Sequence, residues 1–181
     1  MAFKKNIVAG LVAGLFVACA APAAAQSGEG TSGGVSLQVG VGDHYKRYML
    51  GYETPTLWQY RFGGDWGRLD LTGEFSAAYW HADGGRHPAS VWQFGATPMF
   101  RWWVGERFFI EGGVGANVFT RTTFADKRIS TAFQFGDHIG VGFQLTPASR
   151  IGLRYSHFSN ANIKRPNPGL DVVQFTYVQS F

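Results

Sequence analysis

Leu69-Asp70-Leu71-Thr72-Gly73-Glu74-Phe75-Ser76-Ala77-Ala78-Tyr79 decides the fold. Leu69, Leu71, Phe75, Ala77 and Tyr79 alternate with Asp70, Thr72, Glu74, Ser76 and Ala78, and a period of two belongs to a strand, not a helix. One face is apolar and aromatic. The other carries two ionisable groups in mid-strand, which suits a closed cylinder with lipid outside and paired polar side chains within.

The same period recurs on both sides of that stretch. Val35, Leu37, Val39 and Val41 alternate with small or polar neighbours. So do Trp92, Phe94 and Trp102; Phe108, Ile110, Val114 and Val118; Ile151, Leu153 and Tyr155; and Val173, Phe175 and Tyr177. Strands are expected at 35–42, 45–62, 68–82, 90–104, 107–120, 130–145, 149–159 and 170–181. Aromatics at strand ends (Tyr48, Trp58, Tyr60, Trp92, Trp102, Tyr155) read as interfacial girdles. Glu111 and Arg154 join Asp70 and Glu74 on the inner face, with Arg154 expected to pair with Glu74 or Glu111. Phe181 ends the last strand on its apolar side, as in bacterial outer-membrane proteins. Closure satisfies every backbone group, which an open sheet in lipid could not do. The fold class is therefore all-β: an eight-stranded antiparallel transmembrane β-barrel of the bacterial outer membrane. One strand disobeys. In Phe133, Phe135, Asp137, Ile139, Val141 and Phe143, strict alternation turns Asp137 toward lipid, and a bulge near Gly136 would restore the parity.

Composition excludes other classes. Among 181 residues, 15% are charged and 16% aromatic, the opposite of a disordered chain. A single cysteine allows neither a disulfide framework nor a structural zinc site. His44, His81, His87 and His138 lie on different segments without ligand spacing, so they read as surface or rim residues, and no metal or other cofactor is expected. Residues 1–25 read as a cleaved signal peptide: Lys4 and Lys5, an apolar run from Ile7 to Ala21, then Ala23-Ala24-Ala25. The apolar run is too short for a membrane anchor. The barrel domain is then 26–181. Removing Lys4 and Lys5 from the 16 basic residues leaves 14 against 12 acidic, a net charge of +2, and nothing demands nucleic acid.

With both termini periplasmic, connections near 63–67, 104–107 and 146–149 are short inner turns. Those near 42–46, 83–89, 121–129 and 160–169 face outward, and they carry Lys46, Lys127 and Lys164. Strand seven brings His157 and Ser159 to the outward end on the face of Leu153 and Tyr155. Residues i and i+2 of a strand point the same way, so these two can meet in a side-chain hydrogen bond. By parity Asp171 shares the lipid face of Val173 and Phe175, and a hairpin sets it beside His157. These are the parts of a nucleophile, a base and an acid that orients the base. Isolated polar residues at an interface are ordinary, and an Asn/Pro/Gly loop is usually a turn. Three triad-type groups on one lipid-facing surface are harder to dismiss, because polar groups there are costly.

The run from His157-Phe158-Ser159-Asn160 through Pro166-Asn167-Pro168-Gly169 to Asp171 resembles the carboxy-terminal signature of the lipid A 3-O-deacylases, the PagL-like enzymes. Ile110-Glu111-Gly112-Gly113-Val114-Gly115 and Gly136-Asp137-His138-Ile139-Gly140 extend the resemblance weakly over the rest of the chain. It implies an eight-stranded outer-membrane barrel that removes the ester-linked 3-hydroxyacyl chain at position 3 of lipid A without a metal. The family's histidine falls on His157, its serine on Ser159, its acid on Asp171, and its oxyanion asparagine on Asn160, with the Asn167 backbone as a second candidate. The acid is Glu in the best-known member. Asp is shorter by about 1.5 Å of reach.

On this reading Ser159 attacks the ester, His157 takes its proton and Asp171 orients His157. Lys164 and Arg165 would contact lipid A phosphate or sugar. The expected partners are lipid A within lipopolysaccharide and the surrounding outer-membrane lipid, and a homodimer is one candidate assembly. Two rivals stay open: a non-catalytic barrel with a structural or adhesion role, and an acyltransferase that delivers the chain to an acceptor other than water.

Overall fold

A computed structural model of the chain describes residues 31–181. The expected signal peptide, 1–25, lies outside the described residues. The strands are β1 (Gly34–Gly42), β2 (Tyr45–Glu53), β3 (Trp58–Arg61), β4 (Arg68–Ala82), β5 (Ser90–Val104), β6 (Phe108–Phe119), β7 (Thr123–Phe124), β8 (Lys127–Arg128), β9 (Phe133–Thr146), β10 (Ser149–Ser159) and β11 (Leu170–Ser180). Antiparallel pairing runs β2-β1-β11-β10-β9-β6-β5-β4-β3, and β2 also pairs with β4, which closes the sheet. The result is an eight-stave barrel in which β2 and β3 are two halves of one stave. β7 and β8 form a separate small hairpin.

The single strand expected over 45–62 is thus interrupted at 54–57. Pro55 has no N–H to give the ladder. The Thr54 and Leu57 amides still donate to the Gly73 and Leu71 carbonyls, both at 2.8 Å, so β4 keeps its partner across the break. The bulge expected near Gly136 is absent. Pairing of β9 with β10 runs without a shift from Phe135↔Ser159 to Gln144↔Arg150, and the one irregularity falls at Ser149/Arg150. Asp137 therefore does face outward, directly opposite His157. Its neighbour across the ladder, near the outer end of both strands, is an imidazole and not an apolar side chain.

Burial is inside-out, as alternation next to lipid requires. Leu37, Val39, Leu50, Phe75, Phe94, Leu153, Val173 and Phe175 are exposed, while Gln38, Asp70, Glu74, Arg101, Glu111 and Arg154 are buried. In mid-barrel Arg101 bonds Glu53 at 2.8 Å and Glu111 at 3.3 Å. Arg154 bridges Glu74 at 2.9 Å and Glu111 at 2.8 Å. His138, expected at the surface or rim, is instead in the lumen, with Nδ1 at 2.7 Å from Ser156 Oγ. The lumen is not polar throughout. Toward the end that carries the 160–169 turn it is plugged by Tyr45, Trp80, Phe119, Phe124, Phe158 and Leu170. Trp80 packs edge-on against Phe158 with ring centres 5.4 Å apart. That plug fills this end of the barrel from within.

Connections 62–67, 105–107 and 147–148 share one end with the start of β1 and the close of β11. Connections 43–44, 83–89, 120–132 and 160–169 share the other. Three of these last four are long, as in outer-membrane barrels, so this is the outer end.

Candidate active site

Alternation in β10 buries Arg154, Ser156 and Phe158 and turns Tyr155, His157 and Ser159 to the outer wall. β11 turns Asp171, Val173 and Phe175 the same way. The register pairs His157 with Asp171 on one side and with Asp137 on the other. His157 thus stands between two acids at the outer rim, facing lipid.

His157 Nδ1 lies 2.7 Å from Asp171 Oδ1. Asp171 can only accept, so Nδ1 carries the proton and Nε2 is left as the basic nitrogen. Tyr155 Oη donates to the same Asp171 oxygen at 2.6 Å. Gly169, at φ 72°, lies against the imidazole, and a side chain there would meet the ring. Ser159 shares the face of His157, but among the described residues no hydrogen bond joins the two. The Ser159 hydroxyl accepts instead from the Ala161 amide, at 3.5 Å. The side-chain hydrogen bond that their spacing allows is therefore not formed.

Asn160 follows Ser159 and therefore points inward. It is fully buried, and its side-chain amide donates to the Ile129 carbonyl at 3.1 Å and the Lys164 carbonyl at 2.8 Å. Its backbone amide donates to Asn167 Oδ1 at 3.2 Å. Ser130 Oγ donates to the Pro166 carbonyl at 2.7 Å, a second tie between the 120–132 and 160–169 connections. Lys164 and Arg165 are exposed at the tip of the turn, without an ion pair among the described residues.

Residues 46–179 match the family model described as lipid A 3-O-deacylase (PagL). The chain belongs to the PagL family. A curated lipid A deacylase PagL of Bordetella bronchiseptica is 64% identical over 178 residues, covering 98% of each chain. The PagL of Pseudomonas aeruginosa is 32% identical over 110 residues, which is 59% of this chain and 64% of that one. The crystal structure of the outer-membrane enzyme PagL superposes with a TM-score of 0.73 at 26% identity, covering 82% of this chain and 99% of the other. The closed barrel described above is the PagL fold, and this chain is an outer-membrane enzyme of that family.

Three neighbours of the PagL-type site were not singled out from sequence. Asp137 was read as a parity error. Tyr155 was read only as a girdle aromatic. Tyr45, in the lumen, reaches the Asp171 backbone, which no strand pattern announces. The signal for Asp137 was already present, since strict alternation put it on the outer wall beside His157.

Proposed function

We propose that this PagL-family enzyme hydrolyses the ester of the 3-hydroxyacyl chain at position 3 of lipid A by a Ser-His-Asp mechanism on its lipid-facing wall. The observation that carries the reading is the 2.7 Å pair of His157 and Asp171 on the outer surface at the outer rim. A hydrolase of soluble substrates keeps such a pair in a pocket. Here the substrate comes to the wall through the bilayer, with its acyl chains in the membrane and its ester at head-group depth.

Ser159 Oγ attacks the ester carbonyl as its proton passes to His157 Nε2. Asp171 holds the imidazole in the required tautomer and stabilises the imidazolium, and Asp137 adds negative charge on the opposite side. The tetrahedral intermediate collapses as His157 returns the proton to the departing sugar oxygen. Water, deprotonated by His157, then cleaves the acyl-enzyme and releases the free 3-hydroxy fatty acid.

For the oxyanion, the Asn160 donors are engaged within the turn, and Asn160 serves by fixing its shape. The candidate donor in its place is the Ala161 amide, which already points to Ser159 Oγ, with Asn167 held beside it by the bond of its Oδ1 to the Asn160 amide. Such donors are typically worth several kcal/mol in the transition state. The apolar groove formed by Ile110, Ile139, Val141, Leu153, Tyr155 and Val173 on the wall beside the site would carry the acyl chain. Lys164 and Arg165 would meet lipid A phosphate.

The test is mass spectrometry of lipid A from cells expressing wild type, Ser159→Ala or His157→Asn. The mechanism predicts loss of one hydroxyacyl mass, with free hydroxy fatty acid, in wild type alone. Equal loss in all three would reject it, and transfer of the chain to a second lipid would mark an acyltransferase.

A further inference from the structure

Asp171 is poorly placed to hold a histidine unaided. Its side chain is 54% exposed, and it has a shorter arm than Glu. It also lies one residue beyond the ladder between β1 and β11, which ends at Gly42↔Val172, so it has no strand partner on the β1 side. A short carboxylate near a strand end that is paired on one side only would be expected to turn away to water or head groups.

Two tyrosines hold it. From the lumen, the Tyr45 hydroxyl donates to the Asp171 carbonyl at 2.9 Å and accepts from the Asp171 amide at 2.9 Å, replacing the missing ladder bonds. Tyr45 is buried in the aromatic plug against Trp80 and Phe124. Its ring passes over Gly42, where a Cβ would collide with that ring and with the Asp171 carbonyl oxygen. From the outer wall, Tyr155 pairs across the ladder with Val173, so its ring reaches diagonally to Asp171. Its hydroxyl and His157 Nδ1 converge on the same oxygen, Oδ1, at 2.6 and 2.7 Å. A girdle tyrosine ordinarily offers its hydroxyl to the head groups. This one is spent on a carboxylate.

We propose that Tyr155 is a positioning residue of the reaction: its hydroxyl fixes the Asp171 carboxylate against His157, while Tyr45 fixes the Asp171 backbone. The proposal rests on the reading of Asp171 as the acid that orients His157.

The experiment is a double-mutant cycle on purified, folded enzyme with lipid A as substrate, measuring kcat and KM for wild type, Tyr155→Phe, Asp171→Ala and the double variant. Loss of one oriented hydrogen bond predicts a fall in kcat of about tenfold for Tyr155→Phe, with KM little changed. In the Asp171→Ala background the same substitution should have no further effect, because Tyr155 acts only through that carboxylate. Equal losses in both backgrounds, or a rise in KM alone, would make Tyr155 a structural or substrate-contacting residue and overturn the proposal. If Asp171→Ala loses activity while Tyr155→Phe does not, the proposal fails and the acid assignment stands. If Asp171→Ala is as active as wild type, the acid assignment itself fails. Barrel formation is read separately from heat-modifiable gel migration, so a folding defect is not mistaken for a kinetic one.

Discussion

Gly169→Ala should disable the enzyme without touching a residue that does chemistry. Gly169 sits at φ 72°, the left-handed region that a side chain resists by roughly 1–2 kcal/mol. The larger effect is on its neighbour. An added Cβ would lie 2.5 Å from His157 Cε1, 3.3 Å from Nε2 and 3.4 Å from Nδ1. Carbon atoms rest at about 3.5–4.0 Å, so the imidazole must withdraw by about 1 Å. Its bond to Asp171 is 2.7 Å long, and a shift of that size takes it out of hydrogen-bond range. Displacement of a catalytic group by about 1 Å can lower the rate on the order of a hundredfold. Gly64→Ala is the control. It has a similar φ of 64° and open space around it, in a turn at the opposite end of the barrel. The assay is the rate of hydroxyacyl release from lipid A, with heat-modifiable migration to verify the barrel. A folded Gly169→Ala enzyme within about threefold of wild type would refute the claim that His157 must stand against Gly169.

Other substitutions test the barrel and the substrate contacts. Arg154→Met leaves Glu74 and Glu111 buried without their shared cation and should lower stability by about 3–5 kcal/mol in urea unfolding from a bilayer, and an unchanged midpoint would contradict the interior network. Leu153→Arg puts a charge on the lipid face, where about 2–4 kcal/mol is expected at the midplane, seen as reduced folding into vesicles; normal folding would mean that this face does not meet lipid. Lys164→Ala with Arg165→Ala should raise KM for phosphorylated lipid A several-fold at low salt, leave kcat unchanged and lose its effect as salt screens the contact. A salt-independent effect would mean the turn had changed shape.

Much of the barrel could be read from alternation, because beside lipid a period of two has only one consistent placement. Six strands keep their expected ranges within a residue, and Arg154 meets both glutamates expected for it. The departures fall where a local cost competes with the period. The bulge near Gly136 was postulated only because an acid toward lipid looked costly. His157 stands opposite it on the next strand, and a cross-strand neighbour is invisible along one segment. The lumen was read as polar from four ionisable groups, although the same parity places Trp80, Phe119 and Phe158 inside as well. Pro55 warned of the break in the second stave. At the site, parity delivered His157, Ser159 and Asp171 to one wall. It also turns Asn160 inward, something the family signature does not reveal because a motif orders residues without aiming side chains. The reach of Tyr45 through the space above Gly42 depends on ring packing, which no spacing encodes.

The central claim is that Ser159 is a nucleophile activated by His157 on the outside of the barrel. A long-chain alkyl fluorophosphonate, which reacts only with an activated serine, tests it most directly when the adduct is mapped by peptide mass spectrometry. The account predicts one adduct, on Ser159, with loss of activity in proportion to labelling and little reaction in His157→Asn. An enzyme inactivated with its adduct elsewhere, or a Ser159→Ala enzyme that deacylates lipid A at the wild-type rate, would contradict it.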